Sequence, residues 1–144
     1  MFEMEESHLN VLFFLTPKSD VIYIFDDYKI TKVMDIMEET GYTALPIIDR
    51  QGHYVGTLTE GDILWTMRKN PELNLDCIGE IVVSNMQRKT EIEPVRGSAD
   101  MIDLIKIALK QNYVPVVDDN NIFIGIITRQ DIIQVCYARA RKDL

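Results

Sequence analysis

The chain contains two copies of one sequence segment, 69 residues apart. The 19 residues from Pro46 to Leu64 return as those from Pro115 to Ile133, with six identical residues and six exchanges between large apolar side chains. A repeat of this length indicates one structural unit built twice. Any site that the unit carries should therefore occur twice.

Length and charge limit the classes of protein that this chain can represent. Its 144 residues suffice for one domain or two small halves. We expect residues 1–70 to form an N-terminal segment plus the first unit, and residues 71–144 a linker plus the second unit. The formal charge of −8 argues against broad binding to DNA, RNA or an anionic membrane.

Neither targeting nor disulfide chemistry is indicated. The apolar run 9–15 is too short to span a bilayer, and it follows acidic residues, unlike a signal peptide. Cys77 and Cys136 have no metal-binding or redox spacing. We therefore expect a cytoplasmic protein with no membrane insertion and no metal site.

Each copy shows the same order of elements. A short β-like run comes first, at 21–24 and again at 91–93. An amphipathic helix follows, since apolar residues recur at helical spacing from Ile30 to Met37 and from Met101 to Ala108. Two strands joined by a turn and a second helix, from about Asp62 to Lys69 in the first copy, complete a β-α-β-β-α unit. The fold class is therefore α+β (α/β-like).

The motif Gly-x-x-Thr-x-x-Asp stands in each copy where a strand meets a helix. Its members are Gly56, Thr59 and Asp62 in the first copy, and Gly125, Thr128 and Asp131 in the second. A carboxylate can accept two hydrogen bonds from a sugar diol, and a helix N-terminus attracts phosphates. Thr-x-x-Asp is also close to a capping box, in which both side chains serve the helix end. The two interpretations stay open, and both can hold in different states.

The unit resembles a CBS (cystathionine β-synthase) domain. The resemblance is carried by the run Gly41–Asp49 and by the closing signatures Val55–Ile63 and Ile124–Ile132. Two such units in tandem form a pseudo-two-fold Bateman module, here similar to stand-alone bacterial members of the family. The resemblance implies a non-catalytic regulatory module that senses AMP, ADP, ATP or cyclic di-AMP in the cleft between the units and modulates a partner protein.

The resemblance also implies site residues. The ribose or phosphate would be held by Thr59 with Asp62 and by Thr128 with Asp131. The adenine would contact Ile22, Thr43 and Ala44 in the first site, and Ile92 and Tyr113 in the second. Because the second copy is two residues shorter before its strand and Tyr113 can fill its own pocket, the first site is preferred.

Two cations are candidates for a phosphate, and the alternative for each is a solvated surface charge. Arg129 adjoins Thr128 and can bind phosphate bidentately, and Lys18 precedes the first strand. The family further implies a homodimer formed by the second helices, around 63–67 and 132–136. The alternative is a ligand-free interaction or dimerisation scaffold. An enzyme is not expected, because no nucleophile with a general base is readable.

Overall fold

The computed structural model describes residues 10–89 and 91–143, and the chain divides into two compact units. Among the described residues, the first unit lies within Ile22–Glu91, and the second combines 92–143 with 10–21. This division differs from the predicted ranges 1–70 and 71–144. The linker after the first copy folds back on that copy, and the segment before the first copy folds with the second.

The elements alternate along the chain much as the repeat predicts. The strands are β1 (Thr16–Pro17), β2 (Ile24–Phe25), β3 (Ala44–Ile48), β4 (Tyr54–Thr59), β5 (Val95–Arg96), β6 (Tyr113–Val117) and β7 (Phe123–Thr128). The helices are α1 (Ile30–Thr40), α2 (Glu60–Lys69), α3 (Leu75–Ile78), α4 (Met101–Ala108) and α5 (Arg129–Asp143), with 3-10 turns at Val11–Phe14, Lys18–Asp20 and Val83–Asn85.

The first unit is built on a three-stranded sheet in the order β2-β3-β4. β3 pairs antiparallel with β4 and parallel with β2, and its residues Leu45–Ile48 are all buried. The helical stripe of α1 places Ile30 and Val33 in the core beneath this sheet. Gly41 ends α1 in the left-handed conformation with φ of 75°, which glycine adopts without steric cost.

The second unit repeats this arrangement and adds one strand. Its sheet has the order β1-β7-β6-β5, and β1 pairs antiparallel with the outer edge of β7. Gly125 in β7 has a φ of 155°, and a Cβ there would collide with the carbonyl oxygen of Thr16. The motif glycine of the second copy thus admits the N-terminal segment against the sheet.

The first strand of each copy lies later than the sequence predicts. The β-like runs lie at 21–24 and 91–93, but the paired residues are Ile24–Phe25 and Val95–Arg96. The reason is tertiary, because these short strands pair only with the buried C-terminal ends of β3 and β6. Within 10–89 and 91–143, no helix has the length and apolar character needed to cross a membrane.

Candidate functional site

Thr59 and Asp62 close a capping box at the start of α2. The Thr59 hydroxyl accepts a hydrogen bond from the Asp62 amide at 3.1 Å, and Asp62 Oδ2 accepts one from the Thr59 amide at 2.9 Å. Each side chain satisfies a backbone N–H that the helix leaves without an intrahelical partner. The capping interpretation of the first motif is therefore observed.

The second oxygen of Asp62 is also engaged. The Lys89 amide donates to Asp62 Oδ1 at 2.9 Å, and only 5% of the Asp62 residue surface is exposed. Lys89 belongs to the linker that folds back on the first unit. Both carboxylate oxygens thus accept backbone hydrogen bonds, so a sugar diol at Asp62 competes with the amides of Thr59 and Lys89.

The equivalent pair in the second unit, Thr128 and Asp131, forms only one of the two capping-box hydrogen bonds. The Thr128 hydroxyl accepts a hydrogen bond from the Asp131 amide at 3.1 Å, as in the first copy. The Asp131 carboxylate, in contrast, makes no hydrogen bond or ion pair with any residue that the structure describes, and it is only half-buried. It stands in the first turn of α5, where the helix dipole favours negative charge. Asp131 thus differs from Asp62, whose two carboxylate oxygens both accept backbone hydrogen bonds.

The residues predicted to contact adenine in the two β-hairpins lie next to the threonines. Ala44 pairs with Thr59 across the first hairpin, and Tyr113 pairs with Thr128 across the second. The two units also share a backbone hydrogen bond at this point. In the first unit the Glu60 amide donates to the Thr43 carbonyl at 2.9 Å. In the second unit the Arg129 amide makes the same 2.9 Å bond to the Asn112 carbonyl.

Ile22 and Ile92 lie at the boundaries where the chain passes from one unit to the other. Ile22 is 37% exposed and lies two residues before β2. Ile92 is half-buried, and the Gln111 carboxamide holds its neighbour in place by accepting from the Glu93 amide at 2.8 Å. The same carboxamide donates to the Tyr113 carbonyl at 3.1 Å. Gln111, which the sequence does not single out, therefore ties the segment after Ile92 to the strand that begins at Tyr113.

The two predicted phosphate ligands both belong to the second unit. Lys18 is half-buried in the 3-10 turn that packs on β7. Arg129 Nε donates to the carbonyl oxygens of Ala108 at 2.8 Å and Gln111 at 3.1 Å, just after α4 ends. Arg129 thus has a structural role at a helix end. Because its Nε is already bonded, a phosphate would be bound by its two Nη groups.

A basic cavity beside α2 was not anticipated from the sequence. Its volume is about 370 Å³, and its lining residues are Asp62, Trp65, Thr66, Lys69, Asn70, Gln87, Arg88 and Lys89. We call it the basic cavity. The only sequence signal is the adjacent pair Arg88-Lys89 in the linker, which charge alone does not distinguish from a solvated surface pair.

Gly56, the first member of the motif, makes room for Arg88. A Cβ at Gly56 would lie 2.8 Å from the Arg88 guanidinium, whose Nη2 is 3.4 Å from the Val55 carbonyl oxygen. The neighbouring Tyr54 phenol is buried, and burial raises its pKa to about 12 although its hydrogen bond with Thr57 and the charge of Arg88 act in the opposite direction. The linker arginine therefore packs against the strand that leads to Thr59.

Comparison with known proteins identifies the repeated unit. The family model described as CBS domain matches residues 14–69 and 78–138. The fold is similar to that of CbpB in complex with c-di-AMP, at 26% identity and a TM-score of 0.86 over 98% of this chain and 92% of that one. It is also similar to CBSX2 in complex with AMP, at 25% identity and a TM-score of 0.72 over 91% of this chain and 98% of that one.

Sequence relatives include longer proteins. Inosine-5'-monophosphate dehydrogenase of Methanocaldococcus jannaschii is 28% identical over 125 residues, which are 86% of this chain and 23% of that protein. The magnesium and cobalt efflux protein CorC of Buchnera aphidicola is 27% identical over 131 residues, which are 90% of this chain and 42% of that protein. The chain thus spans less than half the length of these two relatives.

Proposed function

The chain belongs to the CBS domain family, and we propose that its two tandem copies form a regulatory module that binds an adenosine-containing nucleotide. Binding would change the affinity of the module for a partner protein. Two similar structures hold c-di-AMP and AMP, which supports a ligand of this chemical class. Since these nucleotides are intracellular metabolites, the proposal also places the protein in the cytoplasm.

The observation that carries the proposal is the open carboxylate of Asp131. A ribose diol can donate to both of its oxygens without displacing any hydrogen bond from the described residues. At Asp62 the same diol competes with the amides of Thr59 and Lys89. Hydrogen bonds to charged groups contribute about 1.5–3 kcal/mol each, so the competition is substantial. We therefore propose that the second unit is occupied first, the reverse of the preference drawn from the sequence.

The other predicted residues take roles around these carboxylates. Thr128 assists Asp131 at the ribose, Ile92 and Tyr113 contact the adenine, and Arg129 with Lys18 contacts the phosphates. The equivalent set in the first unit, Thr59, Asp62, Ile22, Thr43 and Ala44, becomes a second site when its capping box opens. A ligand changes the conformation of the module only through its different affinity for the two states.

A homodimer is part of the proposal. The second helix of each unit exposes large apolar side chains, namely Leu64 at 53% and Trp65 at 42% on α2, and Ile133 at 58% and Tyr137 at 64% on α5. Burying such side chains between two copies of the chain would remove apolar surface from water. The dimer contact is therefore assigned to α2 and α5.

Thermal unfolding with a nucleotide panel tests the proposal. AMP, ADP, ATP and c-di-AMP are compared with GMP as a control that keeps the ribose phosphate and changes the base. A ligand at 100 times its Kd should stabilise the protein by about 2.7 kcal/mol. Absence of any shift with all four adenosine ligands would contradict nucleotide sensing.

The alternative is a scaffold that binds no small ligand. The closed capping box at Asp62 favours it, because that carboxylate is already satisfied by the protein. A protein that gives no thermal shift but remains dimeric would support the scaffold. Stabilisation that disappears with Asp131→Asn would exclude it.

A further inference from the structure

We propose that the Gln111 side chain occupies the adenine position of the second unit and must rotate away before an adenosine nucleotide binds there. The inference rests on the proposed function and names a residue that opposes it. Gln111 is half-buried in the loop between α4 and β6, two residues before Tyr113. Its side chain therefore lies beside one of the residues to which the adenine is assigned.

The Gln111 carboxamide pairs with the peptide edge of Glu93. Its oxygen accepts a hydrogen bond from the Glu93 amide at 2.8 Å, and its nitrogen donates to the Glu93 carbonyl at 3.3 Å. The same nitrogen donates to the Tyr113 carbonyl at 3.1 Å. These bonds place the carboxamide between the segment after Ile92 and the start of β6, where the proposed function places the base.

The carboxamide resembles the edge of an adenine in its hydrogen bonding. A carboxamide presents an acceptor oxygen beside a nitrogen with two donors, and adenine presents a ring-nitrogen acceptor beside its 6-amino donor. An adenine that pairs with the Glu93 peptide therefore competes with Gln111 for the same amide and carbonyl. The bonds that must break join neutral groups, so they cost less than bonds to the Asp62 carboxylate, and the second unit remains the easier one to fill.

The backbone of Gln111 is held in place, so only its side chain has to move. Arg129 Nε donates to the Gln111 carbonyl at 3.1 Å and to the Ala108 carbonyl at 2.8 Å. The Arg129 amide donates to the neighbouring Asn112 carbonyl at 2.9 Å. Rotation about the side-chain bonds of Gln111 can therefore release Glu93 without disturbing the end of α4.

The first copy has no carboxamide at the corresponding point of its loop. The residues there are Thr40, Gly41 and Tyr42. The Thr40 hydroxyl donates to the Ile36 carbonyl at 2.7 Å and accepts from the Tyr42 amide at 3.2 Å, so it serves the end of its own helix. We therefore assign this competition to the second unit.

Calorimetric titrations of the parent protein and Gln111→Ala with AMP, ADP, ATP and c-di-AMP test the inference. We expect the nucleotide to bind the variant about 5-fold tighter, as when one net neutral hydrogen bond no longer opposes binding. Urea denaturation without ligand should show a lower free energy of unfolding, because the variant loses the bonds to Glu93 and Tyr113. A residue that only supported the pocket would instead weaken both binding and stability when removed.

Two control variants locate the effect. Gln51→Ala removes an exposed glutamine from the turn between β3 and β4 of the first unit and should leave nucleotide affinity unchanged. Asp131→Asn combined with Gln111→Ala should abolish the gain in affinity, because the ribose of the same site loses its acceptor. An equal gain in Gln51→Ala, or a gain that survives Asp131→Asn, would overturn the inference.

The remaining outcomes separate this inference from the proposed function. If the parent protein binds a nucleotide and Gln111→Ala binds it equally or more weakly, the competition is refuted and the proposed function stands. Binding by Gln111→Ala and not by the parent would support the competition in its strongest form. If neither protein binds any of the four nucleotides, the inference and the proposed function both fail.

Discussion

The two aspartates of the repeat have the same sequence surroundings and different bonding. Asp62 accepts backbone hydrogen bonds at both oxygens, whereas the Asp131 carboxylate has no hydrogen-bond partner among the described residues. The segments packed on the two copies explain part of the difference. The linker brings the Lys89 amide to Asp62, while the edge of the second hairpin is covered by β1. One residue type therefore acts as a structural acceptor in one copy and remains available in the other.

The residue-scale prediction compares one substitution at both positions. Asp62→Asn should lower the free energy of unfolding by about 1–3 kcal/mol, because a capping acceptor and a buried charged hydrogen bond are weakened. Asp131→Asn should cost less than about 1 kcal/mol, because no hydrogen bond from a described residue depends on its charge. Urea denaturation of both variants measures the difference. Equal losses would show that Asp131 has a structural role like that of Asp62.

At the scale of elements, the repeated hairpins carry the site residues and the helix ends are held differently. β3 with β4 and β6 with β7 pair in the same register, so that Ala44 and Tyr113 face Thr59 and Thr128. α1 ends at Gly41, while in the second copy Arg129 holds the carbonyl oxygens of Ala108 and Gln111. The shorter second loop thus uses a side chain where the first copy uses a glycine.

Arg129 gives a prediction about the end of α4. Arg129→Met should lower the free energy of unfolding by about 1–3 kcal/mol, because two carbonyl oxygens lose a charged donor. Arg129→Lys keeps the positive charge but not the planar geometry, so nucleotide affinity should fall less than in Arg129→Met. Chemical denaturation and nucleotide thermal shifts of both variants provide the two readouts. Unchanged stability in Arg129→Met would contradict the structural role.

At the scale of the whole molecule, each copy is completed by chain that lies outside it. The described linker residues before Ile92 fold with the first copy, and residues 10–21 fold with the second. The second helices then leave apolar side chains exposed within their own units. Surfaces of this kind are compatible with a partner, and the proposed partner is a second copy of the chain.

The dimer prediction uses charge placed on those helices. Leu64→Glu and Tyr137→Glu should each shift the protein towards monomer, because burying a carboxylate in an apolar contact is costly. Ile102→Glu is the control, since Ile102 is 63% exposed on α4, outside the predicted contact. Light scattering coupled to size-exclusion chromatography gives the mass of each variant. A monomeric parent protein, or equal dissociation by Ile102→Glu, would contradict the assignment.

The amino-acid sequence alone determined the repeat, the β-α-β-β-α order, the CBS family and the motif that joins Thr59 to Asp62 and Thr128 to Asp131. These features depend on periodicity and on residues a few positions apart, where local geometry decides the outcome. Only the tertiary structure decided which segment completes each unit, where the short first strands pair, and that the linker gathers Arg88 and Lys89 into a cavity. The bond from Lys89 to Asp62 spans 27 positions, so it depends on the path of the folded chain, and it accounts for part of the difference between the two aspartates.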